Sequence, residues 1–388
     1  MKMKTMLCAA LAAAMCFFGA AGTKARAADE TIKIGLLAPL TGFASADGFS
    51  VLESVKLAVE KVNEEGGVLG KKVELVYYDD AADSKQAVAL ANKLIKQDKV
   101  AAFVAGSYSM PSRAVAPIFD EEEIPLVAAY ALHPDLTNGD YTFRNGFLGT
   151  VEGRAAAYAA LELFKAKKVA LITSDNDFGQ TLSEGFNAYL KKVGREKDLV
   201  LHQTYPGSEK DFKVYLSKIK DAGPDVVFFS GYYFQTGPGL KQAQEMGITD
   251  IRFIGEQGAD SPKTSEIAGD AAEDFVILTN LDRDDPRPVV QNYLKAYRER
   301  HNIEPDMVGA SAYDAFMIII DAMKTAQSAE GRKVRDAIAA TKDYDGLTGI
   351  ITGFDAKGEV IKPVQLQVIK DGKFRHFGIV SDPELVTP

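Results

Sequence analysis

From residue 31 onward, short apolar runs alternate with stretches in which apolar residues recur every three or four positions, and this alternation continues along most of the chain. Ile32, Ile34, Leu36 and Leu37 form a β-rich run, residues 39–48 read as a loop, and Leu52, Val55, Val59 and Val62 recur at helical spacing until Gly66-Gly67 ends the helix. Further strands are predicted at 73–78, 100–105 and 125–129, with helices over about 84–97 and 111–122. A second series follows Arg144-Asn145-Gly146. It opens with a helix near 151–164 and continues with strands at 169–173, 199–205, 226–230 and 252–255, each separated from the next by a helix. A strand near 274–280 then precedes helices over 288–300, 307–324 and 333–340. Strands and helices in alternation imply parallel sheets covered by helices on both faces. The predicted architecture is therefore α/β: two similar lobes, each a mainly parallel sheet flanked by helices, joined by a multi-strand hinge. The last helices are expected to return to the first lobe, which takes residues 28–146 plus about 280–355; the second takes 147–279 plus about 356–388.

The N-terminus changes the setting of that fold. Lys2 and Lys4 precede an apolar stretch over 6–21, and Ala25-Arg26-Ala27 supplies the small-x-small pattern of a cleavage site, so residues 1–27 read as a secretory signal peptide. Cys16 follows Met15, not the small residue a lipoprotein signal needs. Both cysteines, Cys8 and Cys16, fall inside the signal, leaving the exported chain without disulfides. Loss of Lys2, Lys4, Lys24 and Arg26 leaves 41 basic against 54 acidic residues, a net charge of −13. Such a chain repels nucleic-acid phosphates, and nucleic acid is not an expected partner.

Chemical motifs are sparse. His133, His202, His301 and His376 are scattered, with no HExxH pattern or close pair, so no metal site is predicted. Neither a GxSxG elbow nor a GxxxxGK[ST] loop occurs, and Gly237-Pro238-Gly239 lacks the rest of a dinucleotide fingerprint. An enzyme is not expected, and no cofactor is called for.

In open α/β sheets, ligands bind beyond the carboxyl ends of the strands. Gly106-Ser107-Tyr108-Ser109-Met110-Pro111 follows one such strand and opens a helix, offering hydroxyls and free N–H groups to an anion. Ser109 can equally cap that helix, and the two roles are compatible. The other promising loops carry Tyr130-Ala131-Leu132, Tyr232-Tyr233 and Glu256-Gln257. Apolar walls with a few polar tips suit a small amphipathic ligand, although Tyr232 and Tyr233 taken alone fit a core equally well.

These residues also resemble a known family, the branched-chain amino-acid (leucine/isoleucine/valine) binding proteins of bacterial ABC transporters, with the type I periplasmic binding protein fold. The resemblance spans the exported chain and rests on Ile34-Gly35, Pro39-Leu40-Thr41-Gly42, Asn63-Glu64-Glu65-Gly66-Gly67, Tyr78-Asp79-Asp80-Ala81, Ile124-Pro125, Pro134-Asp135-Leu136-Thr137, Asp177-Phe178-Gly179 and Thr352-Gly353-Phe354-Asp355. It implies a periplasmic, monomeric solute-binding protein that closes about its hinge on a ligand and delivers it to permease and ATPase subunits at the inner membrane. The ligand contacts it implies are Ser109 for a carboxylate, Tyr130, Leu132, Phe178, Tyr232 and Gln257, with Asp47 in the first loop; Ser107, Tyr108, Ala131 and Glu256 are further candidates. The family usually places a threonine where Leu132 stands and an acid, partner to the ligand ammonium, where Gln257 stands. Asp47 or Glu256 can supply that missing charge. An aliphatic or branched-chain amino acid is the favoured ligand; an aromatic or other non-amino carboxylic acid, or an amide, is the alternative. A sensory module feeding a signalling receptor is the rival from another class.

Overall fold

The computed structural model describes residues 31–388, so the signal-peptide reading lies outside the described residues. Strands β1 (Ile32–Ala38), β2 (Val73–Asp79), β3 (Ala102–Ala105), β4 (Leu126–Ala128) and β5 (Thr142–Arg144) form a parallel sheet in the order β2-β1-β3-β4-β5. Helices α1 (Ser45–Glu64), α2 (Ser84–Lys93) and α3 (Ser109–Glu121) connect the first four strands. The near-continuous apolarity of β1 follows from burial on both faces. Ile34 and Leu36 pack with Val51 and Val55 of α1, whereas Leu37 packs with Ala87 of α2 and Phe119 of α3.

The second series builds α4 (Gly149–Tyr158), β6 (Val169–Ser174), α5 (Asp177–Lys192), β7 (Leu199–Tyr205), α6 (Lys213–Ala222), β8 (Val226–Ser230), α7 (Tyr233–Glu245), β9 (Arg252–Gly255), α8 (Pro262–Ala268) and β10 (Val276–Thr279). Along β8 the side chains again alternate: Val226 and Phe228 join the core under α4 and α5, and Val227 and Phe229 the core under α6 and α7. Helices α4 and α5 approach closely because Gly153 and Gly185 face the opposing backbone. A Cβ on Gly153 would lie 2.0 Å from the Leu182 carbonyl oxygen, and one on Gly185 2.2 Å from that of Thr150.

Helices α9 (Pro288–His301), α10 (Met307–Ala326) and α11 (Gly331–Ala339) then return to the first sheet, where Leu294, Phe316, Ile319 and Val334 share a core with Ile34 and Val104. Strands β11 (Lys342–Gly346), β12 (Gly349–Phe354) and β13 (Val360–Ile361) make a small antiparallel sheet beside them. Finally β14 (Val364–Lys370) and β15 (Lys373–Val380) add antiparallel strands next to β10, completing the order β15-β14-β10-β9-β8-β6-β7, and α12 (Pro383–Val386) ends the chain. The chain thus passes between the two large sheets three times: after β5, after β10 and after β13.

Three local expectations need correction. The first helix begins at Ser45, inside the stretch read as a loop, because Gly48 lets its first turn lie against Pro39; a Cβ there would be 2.1 Å from the Pro39 carbonyl oxygen. The helices expected over 84–97 and 151–164 each finish in one wider π turn, at Leu94–Asp98 and Ala159–Leu163. The third helix begins at Ser109, two residues before Pro111. Among the described residues no helix is long and apolar enough to cross a membrane.

Arg144 ties the end of the first sheet to the turn between β12 and β13. Its buried guanidinium donates to Glu359 at 2.7 Å and to the carbonyls of Ala131 and His133. Removing one member of a buried ion pair strands the other in a poorly solvating interior. Glu359→Ala is expected to destabilise the protein by about 3–5 kcal/mol in urea unfolding; a loss under about 1 kcal/mol, typical of an exposed pair, would show that the pair contributes little.

Candidate functional site

The carboxyl ends of the parallel strands in both sheets open onto one narrow crevice. On the side of the first sheet it is lined by Asp47 from the first turn of α1, Tyr108 and Ser109 at the start of α3, and Tyr130 and Ala131 after β4. On the other side stand Phe178 from α5, Tyr232 after β8, and Gln257 and Gly258 after β9. All of these except Gly258 are site residues expected from the sequence. Met307 and Val308, not among those expected, reach the crevice from the start of α10. The available signal was Pro305-Asp306 ahead of an apolar helix, since a buried cap places a helix mouth inward. Asp306 caps α10 by accepting the Gly309 N–H at 3.0 Å.

Three named candidates do not line the crevice. Ser107 turns to the neighbouring loop, its hydroxyl donating to Asp80 at 3.1 Å. Leu132 packs its side chain with Val151, Phe178 and Leu182, and its N–H donates to the Ser109 hydroxyl at 3.1 Å. Glu256 points behind the loops, where its carboxylate accepts the N–H groups of Gly231 (3.1 Å) and Gly258 (2.6 Å). Ser109 itself is the first residue of α3 and not its cap, so the capping role read from the sequence falls to Tyr108, whose side chain makes no cap bond.

Aromatic rings bridge the crevice. Tyr108 stacks on Tyr232 with ring centroids 4.6 Å apart, and Tyr232 stacks in turn on Phe178 at 4.8 Å and Phe234 at 5.4 Å. Tyr130 meets Tyr108 edge to face. Tyr232 and Tyr233 therefore divide: the first lines the crevice, and the second donates its hydroxyl to the Phe43 carbonyl at 3.2 Å. Arg113 of α3 also pairs with Asp177 of α5 at 2.9 Å.

The polar groups separate by burial and partner. Gln257 donates its amide nitrogen to the Tyr130 carbonyl at 3.0 Å and accepts from Asn280 at 3.2 Å, so both ends of its carboxamide are engaged across the two halves. Burial pushes the Asp47 carboxyl up to about 7; Asp306 and Asp260 add to the rise, and the Tyr108 hydroxyl, 2.6 Å away, opposes it. Burial likewise raises Asp306 to about 6 and Asp80 to about 6. Behind the loops lies a pair of buried acids. Glu152 accepts the Gln257 N–H at 2.9 Å through one oxygen, and its other oxygen is buried without a hydrogen-bond partner. Desolvation first, and for Glu256 the nearby Glu152 second, drives both well above the usual carboxylate range. Among the described residues no cluster of three or more side chains suited to a metal ion is assembled, and none of the four histidines lines the crevice.

With this geometry in view, comparisons place the chain. The periplasmic binding protein profile matches residues 31–373. A leucine-, isoleucine-, valine-, threonine- and alanine-binding protein of Pseudomonas aeruginosa is 32% identical over 365 residues, covering 93% of this chain and 95% of that one. The structure of the branched-chain amino acid transporter substrate binding protein LivJ from Streptococcus pneumoniae, in complex with isoleucine, superposes with a TM-score of 0.83 at 28% identity, covering 90% of this chain and 99% of that one. An ABC-transporter solute binding protein from Rhodopseudomonas palustris BisB5, in complex with 3,4-dihydroxy benzoic acid, gives a TM-score of 0.83 at 25% identity over 90% of this chain and 97% of that one. The chain belongs to the periplasmic binding protein family, whose members serve as substrate-binding proteins of transporters.

The buried acids set a pH dependence. Their folded pKa values are raised, so the folded chain retains protons that the unfolded chain releases. The resulting stabilisation is complete below the ordinary carboxylate range and is lost progressively as pH rises, through about 7 for Asp47 and about 8 for Glu152. Thermal unfolding should occur at a lower temperature at pH 7 than at pH 5. Glu152→Gln, which keeps an acceptor for the Gln257 N–H, should stabilise by about 1–3 kcal/mol at pH 7 and by less at pH 5. An equal effect at both pH values would show that the pair is not titrating in this window.

Proposed function

We propose that this chain is the periplasmic solute-binding component of an ABC importer, and that it captures a small organic solute, favouring an aliphatic or branched-chain amino acid. The carrying observation is a single crevice lined from both sheets and spanned by direct contacts, the Gln257–Tyr130 hydrogen bond and the Tyr108–Tyr232 stack among them. In this reading the lobes are residues 28–146 plus about 280–355, and 147–279 plus about 356–388. They part at the three chain crossings to admit the solute and shut over it. The ligand carboxylate sits at the start of α3, where the Ser109 hydroxyl and helical N–H groups converge, and Tyr130, Phe178 and Tyr232 wall in its apolar body. Binding drives closure only to the extent that the shut form holds the ligand more tightly than the open one. The names of the Pseudomonas and Streptococcus relatives support the amino-acid choice. Permease and ATPase subunits at the inner membrane would receive the loaded protein. No chemical step is assigned, because no histidine or lysine stands beside Ser109 in the crevice.

One observation favours a second reading. The stacked column of Tyr108, Tyr232 and Phe178 offers an aromatic ring faces to lie against, and the Rhodopseudomonas relative is in complex with an aromatic acid.

Calorimetry against leucine, isoleucine, valine, alanine, benzoate and 3,4-dihydroxybenzoate separates the two. Binding of the aliphatic amino acids but not of the benzoates is expected; the reverse would transfer the site to the second reading, and binding of none would remove both. Ser109→Ala is expected to weaken amino-acid binding about tenfold, equivalent to about 1.4 kcal/mol. It should also cost about 1–3 kcal/mol of stability by orphaning the Leu132 N–H. Unchanged affinity would take Ser109 out of the site.

A further inference from the structure

Asp47 is the one charged residue among those lining the crevice, and no lysine, arginine or histidine lines it. Its presence in the first turn of α1 has an ordinary structural explanation, an acid placed near a helix N-terminus. That explanation does not account for its orientation. The side chain makes no capping bond, and its hydrogen bond is to Tyr108, itself a crevice residue. Asp47 is also only 5% exposed and has no ion-pair partner among the described residues. Arg283, whose charge acts on the neighbouring Asp306, is engaged by both oxygens of Asp260 and by the Pro305 carbonyl.

The other acids near the crevice do not line it. Glu256 uses its oxygens on the Gly231 and Gly258 N–H groups, and Glu152 lies behind Gln257. Gln257 carries no charge, and its amide is engaged at both ends. A solute bearing only a carboxylate would therefore meet an uncompensated negative group in a desolvated space, with no cation on the wall to offset it.

Resting on the solute-capture reading above, we infer that Asp47 receives the positively charged group of the ligand, so that the protein selects solutes with an ammonium or similar cation over otherwise identical solutes without one. The ammonium would bond the carboxylate from within the crevice while the Tyr108 hydroxyl holds the carboxylate's other side, giving a charge-assisted bond in place of a buried unpaired acid. The contact comes from α1 of the first sheet. Recognition of both the cation and the carboxylate, at Asp47 and Ser109, would therefore lie on one half of the molecule, and the second half would contribute mainly the apolar and aromatic wall.

Proton exchange gives this role a signature. Titrating near neutrality, Asp47 is partly protonated in the empty site, and an arriving cation would displace that proton. The groups facing Asp47 are Asp306 at the cap of α10, Asp260 ahead of α8, and the hydroxyls of Tyr108, Tyr130, Tyr232 and Tyr233. Of these, Asp306 also titrates near the same range and would contribute a smaller share.

The test uses the full exported protein with two probes, L-leucine and 4-methylpentanoate, which is the same skeleton without its amino group. By calorimetry the wild type should prefer leucine by about 30-fold or more, as expected for a charge-assisted bond. Asp47→Asn should bring the two to within about threefold. Titrations at pH 7 in buffers of different ionisation enthalpy should show the wild type releasing about half a proton per leucine bound, and Asp47→Asn much less. The proton release and the analogue comparison both use the wild type, so they decide the matter even if the variant fails to fold. Equal affinity of the wild type for both probes would overturn the role of Asp47 and leave solute capture standing. Binding of neither probe would overturn the amino-acid reading together with this inference.

Discussion

Every segment that passes between the two sheets must leave its β-ladder, and the backbone groups freed in the process need partners inside a buried junction. This requirement shapes the centre of the molecule. Asn145, just past β5, donates its amide to the Ser311 carbonyl, and Asn280, just past β10, donates to Gln257 and more distantly to the Ser311 hydroxyl. At the third crossing Lys362 donates to Thr348 at 2.9 Å, and Thr348 donates to Asp314 at 2.7 Å. Burial pushes the Lys362 ammonium down to about 7 against the pull of Asp314. One residue from each crossing thus enters a single polar belt, and the first turns of α10 supply acceptors to it, Ser311 for Asn145 and Asn280 and Asp314 for Thr348.

The belt is continuous with the crevice through Gln257. Its carboxamide accepts from Asn280 in the junction and donates to the Tyr130 carbonyl in the site. A side chain engaged in this way suits a structural link between the halves more than a ligand contact, which agrees with the shift of the charged role to Asp47. The loops around it are held by acids instead of cations. Glu256 receives Gly231 and Gly258, and Glu152 receives Gln257, so three N–H groups from two loops are fixed by two carboxyls that burial keeps largely protonated. A buried carboxyl that stays neutral avoids most of the cost of desolvating a charge while keeping an acceptor oxygen for the backbone.

The sheets were legible because strands buried on both faces are apolar almost without interruption, as in Val226-Val227-Phe228-Phe229, and helices stop at evident signals such as Gly66-Gly67. The strands after residue 341 were not legible. Lys342-Asp343-Tyr344-Asp345-Gly346 has no apolar alternation, since β11 is a largely exposed edge whose pairing is fixed by β12 and not by its own sequence. At the site, most of the lining could be read from the loops that follow the strands, but the direction of each side chain could not. Ser107 and Ser109 lie two residues apart in the same loop, and only the second faces the crevice, because the chain enters α3 between them. Glu152 was hidden for a similar reason: an acid in the first turn of an alanine-rich helix reads as a solvated, dipole-favoured residue, and only the packing of α4 against the β9 loop buries it.

The aromatic column and Asp47 make opposite demands on the empty protein. Tyr108, Tyr232 and Phe178 can satisfy one another by stacking, so the apolar walls need no ligand to be shielded from water. Asp47 has no such internal solution: with one hydroxyl for a partner and two further acids nearby, it must hold a proton or remain an unpaired buried charge. A solute that merely separated the rings would exchange one set of apolar contacts for another and gain little preference for the shut form. A solute that also neutralised Asp47 would remove a penalty that exists only when the crevice is desolvated. The difference between shut and open forms that binding must supply would then come chiefly from the acid, and the rings would decide which carbon skeletons fit beside it.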